Sequence, residues 1–459
     1  MRVLLLSTYD SITPTPTIPL ALLYLKVALE NSNIKTEIID ICYEDDRETL
    51  IKNKVRDFRP DIIGLSIKYQ SFEGSRTGTN QEEIVINFVN YIRNVSKAVI
   101  VLGGAGFSGA PEYFLNLTEA KYGILGEGEV SLVDFAMTID QGKEPSQNPI
   151  GGLIWKNEDG TFGYKPKGKY ADISKYPLPD RTEINSRYVD FKSFIPINGI
   201  QTCRGCSFKC IFCNIKNSEG DIERTDSPEK VILQIKADEA KGFQGFYIAD
   251  TIFNRPVKHA HDICDALIEN NIKGPWSTTC TPVGFSRELA KKMKATGCNL
   301  ITFGIDTADK TLLKKWKKGF NIDSIVDSVN ICKEMEIISI VTLCIGGPEE
   351  TIETLNNTFD VIDSVNPDIL LTYYGFRIYG GTELAEIALR EGMIKSLNEP
   401  YHNVLFYESP DLTQQQFKTF YKQRYSKLNR INIKQEDREA ISWYAPRAND
   451  IAKVMFGKA

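Results

Sequence analysis

Histidine is scarce in this sequence: three occur among 459 residues, at positions 259, 261 and 402. Residues 1–150 contain none, so no imidazole ligand can come from that part of the chain. His259 and His261 are two positions apart and do not share one face of a helix, so surface or capping roles are expected for them. The composition therefore disfavours a metal centre built on imidazole.

Long apolar runs and an excess of basic charge are also missing. No stretch approaches the ~18 apolar residues of a membrane span, and the apolar run at residues 3–6 is too short for a secretory signal. There are 55 Lys and Arg against 60 Asp and Glu, a net charge of -5. Binding of bulk nucleic acid is not indicated, although a local basic groove is compatible with this balance. We expect a cytoplasmic protein without a membrane span.

Cysteine, in contrast, is present ten times and unevenly distributed. Six residues, at 42, 264, 280, 298, 332 and 344, are scattered through apolar runs and are expected to be small buried hydrophobes. The other four crowd into residues 203–213. In a reducing compartment such a cluster indicates metal or redox chemistry rather than disulfides.

The fold class predicted is α/β, beginning with a doubly wound, Rossmann-like domain over residues 1–138. Predicted strands at 3–7, 36–41, 61–67, 98–102 and 122–125 alternate with helices at 19–31, 49–58 and 82–95. This alternation favours parallel strands, and such sheets bind ligands at the carboxyl ends of their strands. Glycine-rich loops follow the fourth and fifth strands, but glycines alone favour ligand binding no more than tight turns without a ligand. The dinucleotide-binding fingerprint is absent after the first strand.

The remaining chain divides into three parts. Residues 139–192 are predicted to be a linker that contains a hairpin with Asp-Gly at its turn. Residues 193–395 alternate again, with strands predicted at 199–202, 245–249, 276–279, 300–304, 338–345 and 369–374, which indicates a partial (β/α)6 barrel with its site at the carboxyl rim. Residues 396–459 are expected to be a small, mostly helical region.

The cysteine cluster has the spacing C-x3-C-x2-C at Cys206, Cys210 and Cys213. Soft thiolates select iron–sulfur clusters, zinc or copper(I). A structural zinc site usually needs four ligands in two separated pairs, whereas one compact loop here supplies three. Three ligands on a four-iron cluster leave one iron open for a substrate. Cys203 is expected to be a bystander, and zinc remains the alternative.

This motif resembles that of the radical S-adenosylmethionine (SAM) superfamily. The resemblance implies a 4Fe–4S cluster on the three cysteines, SAM bound at the open iron, and its cleavage to a 5'-deoxyadenosyl radical. It also implies SAM contacts from Phe212 near the adenine, Asp250 at the amino group, Asp306 at the ribose, and the turn at Gly346 and Gly347. For Asp250 a helix N-cap is the alternative. A flavodoxin- or ferredoxin-type electron donor is implied as a partner.

The domain order resembles the subgroup of radical SAM enzymes that carries a cobalamin-binding domain, over about residues 1–395. Cobalamin contacts are then expected from strand-end residues of the first domain, namely Ser7, Thr8, Ser66, Gly103, Gly104, Gly126, Glu127 and Gly128. Many cobalamin domains supply a histidine to cobalt, and this one has none to offer. A degenerate domain that no longer binds cobalamin is the alternative.

The function implied by this resemblance is methylation of an unactivated carbon through a 5'-deoxyadenosyl radical and methylcobalamin. A non-methylating rearrangement or cyclisation is a second possibility, and a non-catalytic cobalamin or iron–sulfur sensor is a third. The sequence leaves the substrate open between a small molecule, a lipid and a peptide.

Overall fold

The computed structural model describes residues 1–8, 16–68, 81–182, 184–190, 198–425, 431–434 and 441–444. The chain divides into two compact units. The first comprises Met1–Tyr188 with two later segments, Asn217–Gly220 and Asn398–Val404. The second comprises Val189–Lys216, Asp221–Leu397 and Leu405–Ala459.

The first unit is an α/β fold with a seven-stranded sheet. Its strands are β1 (Arg2–Ser7), β2 (Lys35–Ile39), β3 (Ile62–Ser66), β4 (Val99–Gly103), β5 (Tyr122–Ile124), β6 (Leu153–Lys156) and β7 (Phe162–Tyr164). Its helices are α1 (Leu20–Glu30), α2 (Arg47–Phe58), α3 (Gln81–Arg93), α4 (Ala105–Gly109), α5 (Pro111–Thr118) and α6 (Glu129–Asp140).

The strand order is β2-β1-β3-β4-β5-β6-β7, and β1 to β5 are parallel. Alternate residues of β1 enter two separate cores: Leu4 and Leu6 face one, Val3 and Leu5 the other. Helices thus cover both faces, which explains why this strand is a continuous apolar run. The predicted doubly wound fold is confirmed.

The predicted hairpin forms as β6 and β7, with β6 antiparallel to β5. It continues the sheet of the first unit, so these residues are part of that fold rather than a separate linker. A short antiparallel pair gains stability by adding to an existing sheet, because an isolated hairpin is marginal in water.

The second unit is built around six parallel strands. In chain order the later elements are α7 (Arg187–Asp190), β8 (Gly199–Ile200), β9 (Cys203–Arg204), α8 (Ile215–Ser218), β10 (Arg224–Thr225), α9 (Pro228–Ala240), β11 (Phe246–Ile248), α10 (Val257–Glu269), β12 (Trp276–Cys280), α11 (Arg287–Ala295), β13 (Cys298–Asp306), α12 (Lys310–Lys315), α13 (Ile322–Glu334), β14 (Ile338–Ile345), α14 (Ile352–Val365), β15 (Ile369–Tyr374), β16 (Phe376–Ile378), α15 (Glu383–Arg390), α16 (Glu399–His402), β17 (Leu405–Tyr407), α17 (Gln414–Tyr425), β18 (Ile431–Lys434) and β19 (Ile441–Tyr444). Among these elements, α16, the first two residues of α7 and the last two residues of α8 belong to the first unit.

The sheet order is β18-β19-β15-β14-β13-β12-β11-β8, in which β8 and β11 to β15 are parallel. The predicted six-stranded partial barrel is therefore confirmed. The carboxyl-terminal region contains the expected helix α17, and it also adds β18 and β19 antiparallel to the edge of β15. These four-residue strands are too short to give a clear alternating pattern in the sequence.

No described helix is both long enough and apolar enough to cross a lipid bilayer.

Candidate metal centre and cofactor sites

The three predicted cluster cysteines line one cavity in the second unit. Cys206, Cys210 and Cys213 border a space of about 200 Å³. Two further predicted residues, Phe212 and Asp306, border the same space. Each lies in a loop or at a strand end on the carboxyl side of the parallel sheet, which is where barrel enzymes assemble their sites. The structure thus brings together five of the residues that the sequence analysis selected.

Burial raises the pKa of all three thiols, and that of Cys213 rises to about 11. Proximity contributes as well, since the neighbouring cysteines raise the pKa of Cys206 and Cys213 further. The thiols are therefore protonated in the metal-free chain at neutral pH, and a metal that binds them must release protons.

The donor set consists of soft thiols, which suit an iron–sulfur cluster, zinc or copper(I). Among the described residues, no group of three His, Cys, Asp or Glu side chains is arranged to hold one metal ion. That the three cysteines hold a four-iron cluster stays a prediction.

Two other cysteines near the site have surroundings of their own. Cys280 borders the cavity and also packs in the apolar core of the second unit, where burial raises the pKa of its thiol well above the usual value. Cys203 is buried in β9, and its sulfur is 3.8 Å from the carbonyl oxygen of Arg204.

A buried polar group braces the start of the cysteine loop. The carboxylate of Asp250 accepts hydrogen bonds from the Thr202 amide at 2.6 Å, the Thr202 hydroxyl at 2.5 Å and the Cys203 amide at 2.9 Å. Asp250 is 3% exposed and is not among the residues that border the cavity. Nor does it cap a helix, since the residue before α10 is Pro256. The described contacts give Asp250 a role in positioning the loop, and its contact with the SAM amino group stays a prediction.

His259 extends this brace, and the sequence analysis missed it. Its Nε2 is 3.0 Å from the Thr202 hydroxyl oxygen, whose proton is given to Asp250. Burial lowers the pKa of His259 to about 4, so the ring is neutral at physiological pH. Nε2 must therefore carry the proton and donate it to Thr202. The surface or capping role expected for this residue is wrong, because the side chain packs in the interior of the unit.

Replacement of Asp250 by asparagine should destabilise the loop by about 2–4 kcal/mol, because an amide nitrogen then faces backbone and hydroxyl donors. We expect a lower unfolding temperature and less iron bound per chain after anaerobic reconstitution. Asp57→Asn is the matched control, since it makes the same change at an exposed position of α2 in the first unit. Equal iron content and equal stability in the two variants would contradict the proposed role of Asp250 in bracing the cysteine loop.

Lys318 is a second site residue that the sequence did not reveal. It borders the cavity and is buried, with Nζ bonded to the Asp306 carboxylate and 3.2 Å from the Gly304 carbonyl oxygen. Nζ also lies 5.3 Å from the centre of the Phe212 ring. Burial alone would lower the pKa of Lys318, but Asp306 and Cys210 outweigh it and raise that pKa. A cation is thereby fixed beside the cysteines, and Asp306 is held in place by an ion pair.

The turn at Gly346 and Gly347 has another role in the described contacts. Both amides donate to one oxygen of Glu350, at 2.5 and 3.1 Å, and neither glycine borders the cysteine cavity. A Cβ on Gly347 would lie 2.4 Å from the Trp316 ring. That the turn contacts SAM stays a prediction.

Glu350 is fully buried, and burial raises its pKa to about 8 against 4.5 for a free side chain. The folded chain therefore binds more protons than the unfolded chain between these values, and Glu350 reduces stability as the pH rises through that window. Glu350→Gln keeps the acceptor oxygen and removes the charge. We expect it to match the wild type near pH 5 and to be more stable by about 2–4 kcal/mol at pH 9 in urea unfolding.

Glu353→Gln changes an exposed carboxylate in the first turn of α14 and is the control. An equal pH dependence of unfolding in all three proteins would contradict the assignment to Glu350.

The predicted cobalamin residues of the first unit meet at the carboxyl edge of its sheet. Ser7 pairs with Ser66, and Ser66 with Gly103, across β1, β3 and β4. Both the amide and the hydroxyl of Thr8 donate to the Ser66 carbonyl at 3.1 Å. Residues from three separate parts of the chain thus form one row, as the parallel topology predicts.

Gly104 continues this edge in a backbone conformation that only glycine adopts readily, with φ 97° and ψ 170°. A Cβ there would lie 2.5 Å from the Ile67 carbonyl oxygen and 3.0 Å from the Ser66 hydroxyl oxygen. The strand-end loop therefore lies directly on β3, with no room for a side chain.

The second predicted loop, Gly126 to Gly128, is tied to other parts of the first unit. The Gly126 amide donates to the Ser108 hydroxyl at 2.9 Å, and the Glu127 amide to the Ser218 carbonyl at 3.1 Å. The Glu127 carboxylate accepts from the Ala171 amide at 3.0 Å. Gly128 approaches Leu25, where a Cβ would lie 2.8 Å from its side chain. These contacts fix the loop, and its contact with cobalamin stays a prediction.

Two protein-family models match this chain, each mainly within a different one of its two units. The radical SAM superfamily model matches residues 200–362, and the B12 binding domain model matches residues 13–136. Fold and site together define a radical SAM protein with a B12-binding domain. The chain contains a radical SAM domain preceded by a B12-binding domain, which is the domain order of the subgroup that the sequence resembles.

Relatives of known sequence align over most of the chain. An uncharacterized methyltransferase of Pyrococcus horikoshii is 26% identical over 392 residues, covering 83% of this chain and 80% of that protein. The tryptophan 2-C-methyltransferase of Streptomyces laurentii is 22% identical over 425 residues, covering 79% and 70%. The structure of the radical SAM methyltransferase TsrM from Kitasatospora setae, with tryptophan and a SAM analogue bound, superposes with a TM-score of 0.75 at 22% identity, covering 91% of this chain and 87% of that one. At this identity the superposition supports the fold.

Proposed function

We propose that the chain is a cobalamin-dependent radical SAM methyltransferase, which moves a methyl group from SAM to an unactivated carbon of a small-molecule, lipid or peptide substrate. One observation carries the proposal. Three cysteines with the spacing C-x3-C-x2-C line one cavity together with Phe212 and Asp306, in a chain that also has a B12-binding domain. The methyltransferase names of the relatives support the same class of reaction.

Each proposed cofactor has a set of residues to hold it. Cys206, Cys210 and Cys213 would hold the 4Fe–4S cluster, which supplies the electron for reductive SAM cleavage. The strand-end residues of the first unit would hold cobalamin, which supplies a methyl carrier.

The remaining residues of the cavity would bind SAM and hold it in position. Phe212 offers an aromatic face that is 4.8 Å from the Phe376 ring centre and 6.5 Å from that of Trp316, so its position is fixed by packing. Asp306 can accept hydrogen bonds from ribose hydroxyls, and its ion pair with Lys318 holds the carboxylate in place. Phe208 and Phe320 add apolar walls that limit water around a reactive radical.

The test is anaerobic reconstitution followed by reaction with methyl-labelled SAM and added cob(I)alamin. The proposal expects iron–sulfur absorbance, bound cobalamin and labelled methylcobalamin in the protein fraction. Cleavage of SAM to 5'-deoxyadenosine without any label on cobalamin would instead favour the rearrangement or cyclisation alternative. A protein that binds neither iron nor cobalamin would overturn the proposal.

A further inference from the structure

An open, lysine-lined groove of about 560 Å³ lies on the second unit. Lys310, Lys314 and Lys317 border it, with apolar contributions that include Leu313 and Phe320. Lys310 and Lys314 are exposed, and neither has an ion-pair partner among the described residues. Lys317 is paired with Glu383. The chain has a net charge of -5, whereas the charged residues that line this groove are all lysines.

The groove adjoins the cysteine cavity. Phe320 borders both spaces. Gly319, also in the groove, packs so closely on Phe208 of the cavity that a Cβ would lie 2.8 Å from that ring.

Helix α12, which carries Lys310 and Lys314, is also bonded to the cysteine loop. The carbonyl oxygen of Trp316, directly after the helix, accepts from the Ile211 amide at 3.3 Å, and Ile211 lies between Cys210 and Cys213. A macromolecule seated on the groove would therefore contact residues that also form a wall of the cysteine cavity.

We propose that this groove is the docking surface for an acidic one-electron carrier protein of the flavodoxin type, an inference that rests on the proposed cluster. The flavin hydroquinone would give one electron to the oxidised cluster and become the semiquinone, and the cluster would fall by one unit of charge. Electron-transfer encounters bury little area and depend on complementary charge for their rate. A shallow basic groove beside the cluster loop meets both requirements.

The test compares two charge-reversal variants of the full-length, reconstituted protein. Lys310→Glu with Lys314→Glu reverses the groove. Lys273→Glu with Lys291→Glu makes the same change at exposed lysines that border neither the groove nor the cavity and have no ion-pair partner among the described residues. Anaerobic stopped-flow absorbance follows cluster reduction by photoreduced flavodoxin at low ionic strength, with dithionite as a small reductant in parallel.

The groove variant should be reduced by flavodoxin at least about tenfold more slowly than the wild type, and the difference should shrink in high salt as charges are screened. The control variant should stay within about twofold, and dithionite should reduce all three proteins alike.

Two results would overturn the docking surface alone: flavodoxin rates that are equal in the groove and control variants, or a groove variant slowed equally with dithionite. A wild-type protein without a reducible cluster would instead overturn the proposed function, and this inference with it.

Discussion

Serine at position 206, 210 or 213 will leave the chain folded but unable to hold a four-iron cluster. In the proposed site each cysteine would supply one of three protein ligands, and a hydroxyl is a poor substitute for a soft thiolate. Anaerobically reconstituted variants should contain background iron and should form 5'-deoxyadenosine at least about a thousandfold more slowly than the wild type.

Cys203→Ser is the matched control for these variants. It makes the same chemical change three residues from Cys206, at a buried sulfur that does not border the cavity. We expect normal iron content with a stability loss of about 1 kcal/mol. Iron loss in Cys203→Ser equal to that in the other variants, or one bound zinc ion and no iron in the wild type, would contradict the assigned ligand set.

The second large effect is expected at Gly104. Alanine there places a Cβ against the Ile67 backbone in a conformation reserved for glycine, so one of the two strands must shift. We expect a loss of more than about 3 kcal/mol in stability. Hydroxocobalamin that remains bound after gel filtration should fall to background, because the edge that carries Ser66 and Gly103 is displaced.

Gly142→Ala separates the steric effect from the effect of a positive φ. Gly142 has φ 67° but no atom within 4 Å of its virtual Cβ, so only about 1 kcal/mol should be lost. Cobalamin should still bind to that variant. If Gly104→Ala behaves like Gly142→Ala in both thermal unfolding and cobalamin retention, the proposed role of this edge is wrong.

The local part of the candidate site could be predicted because its information is local. Three cysteines within eight residues indicate a metal-binding loop even when the fold is not known. Asp306 has a different origin: the resemblance to the radical SAM superfamily implies it, and the parallel topology explains why the end of β13 lies at the edge of the sheet where the cysteine loop also lies.

The supporting residues could not be predicted because their roles depend on distant partners. Asp250 and His259 act on Thr202, which lies 48 and 57 positions away. Lys318 stands in the lysine-rich sequence Lys314–Lys318, where four side chains are exposed or pack outside the cavity and one turns inward to Asp306. From the sequence alone, all of these lysines are expected to be exposed to solvent, and only the folded structure shows that one of them is buried.

The first unit is not one uninterrupted length of chain, and this limits how the protein can be cut. A fragment that ended at residue 188 would lack the Ser218 carbonyl that binds the Glu127 amide. It would also lack His402, whose Nδ1 lies 2.8 Å from the largely buried Glu112 carboxylate. Such a truncated piece would expose surfaces and polar groups that the intact chain covers. Cofactor uptake by the amino-terminal half is therefore best measured in the complete polypeptide, and weak uptake by an isolated half would be no argument against cobalamin.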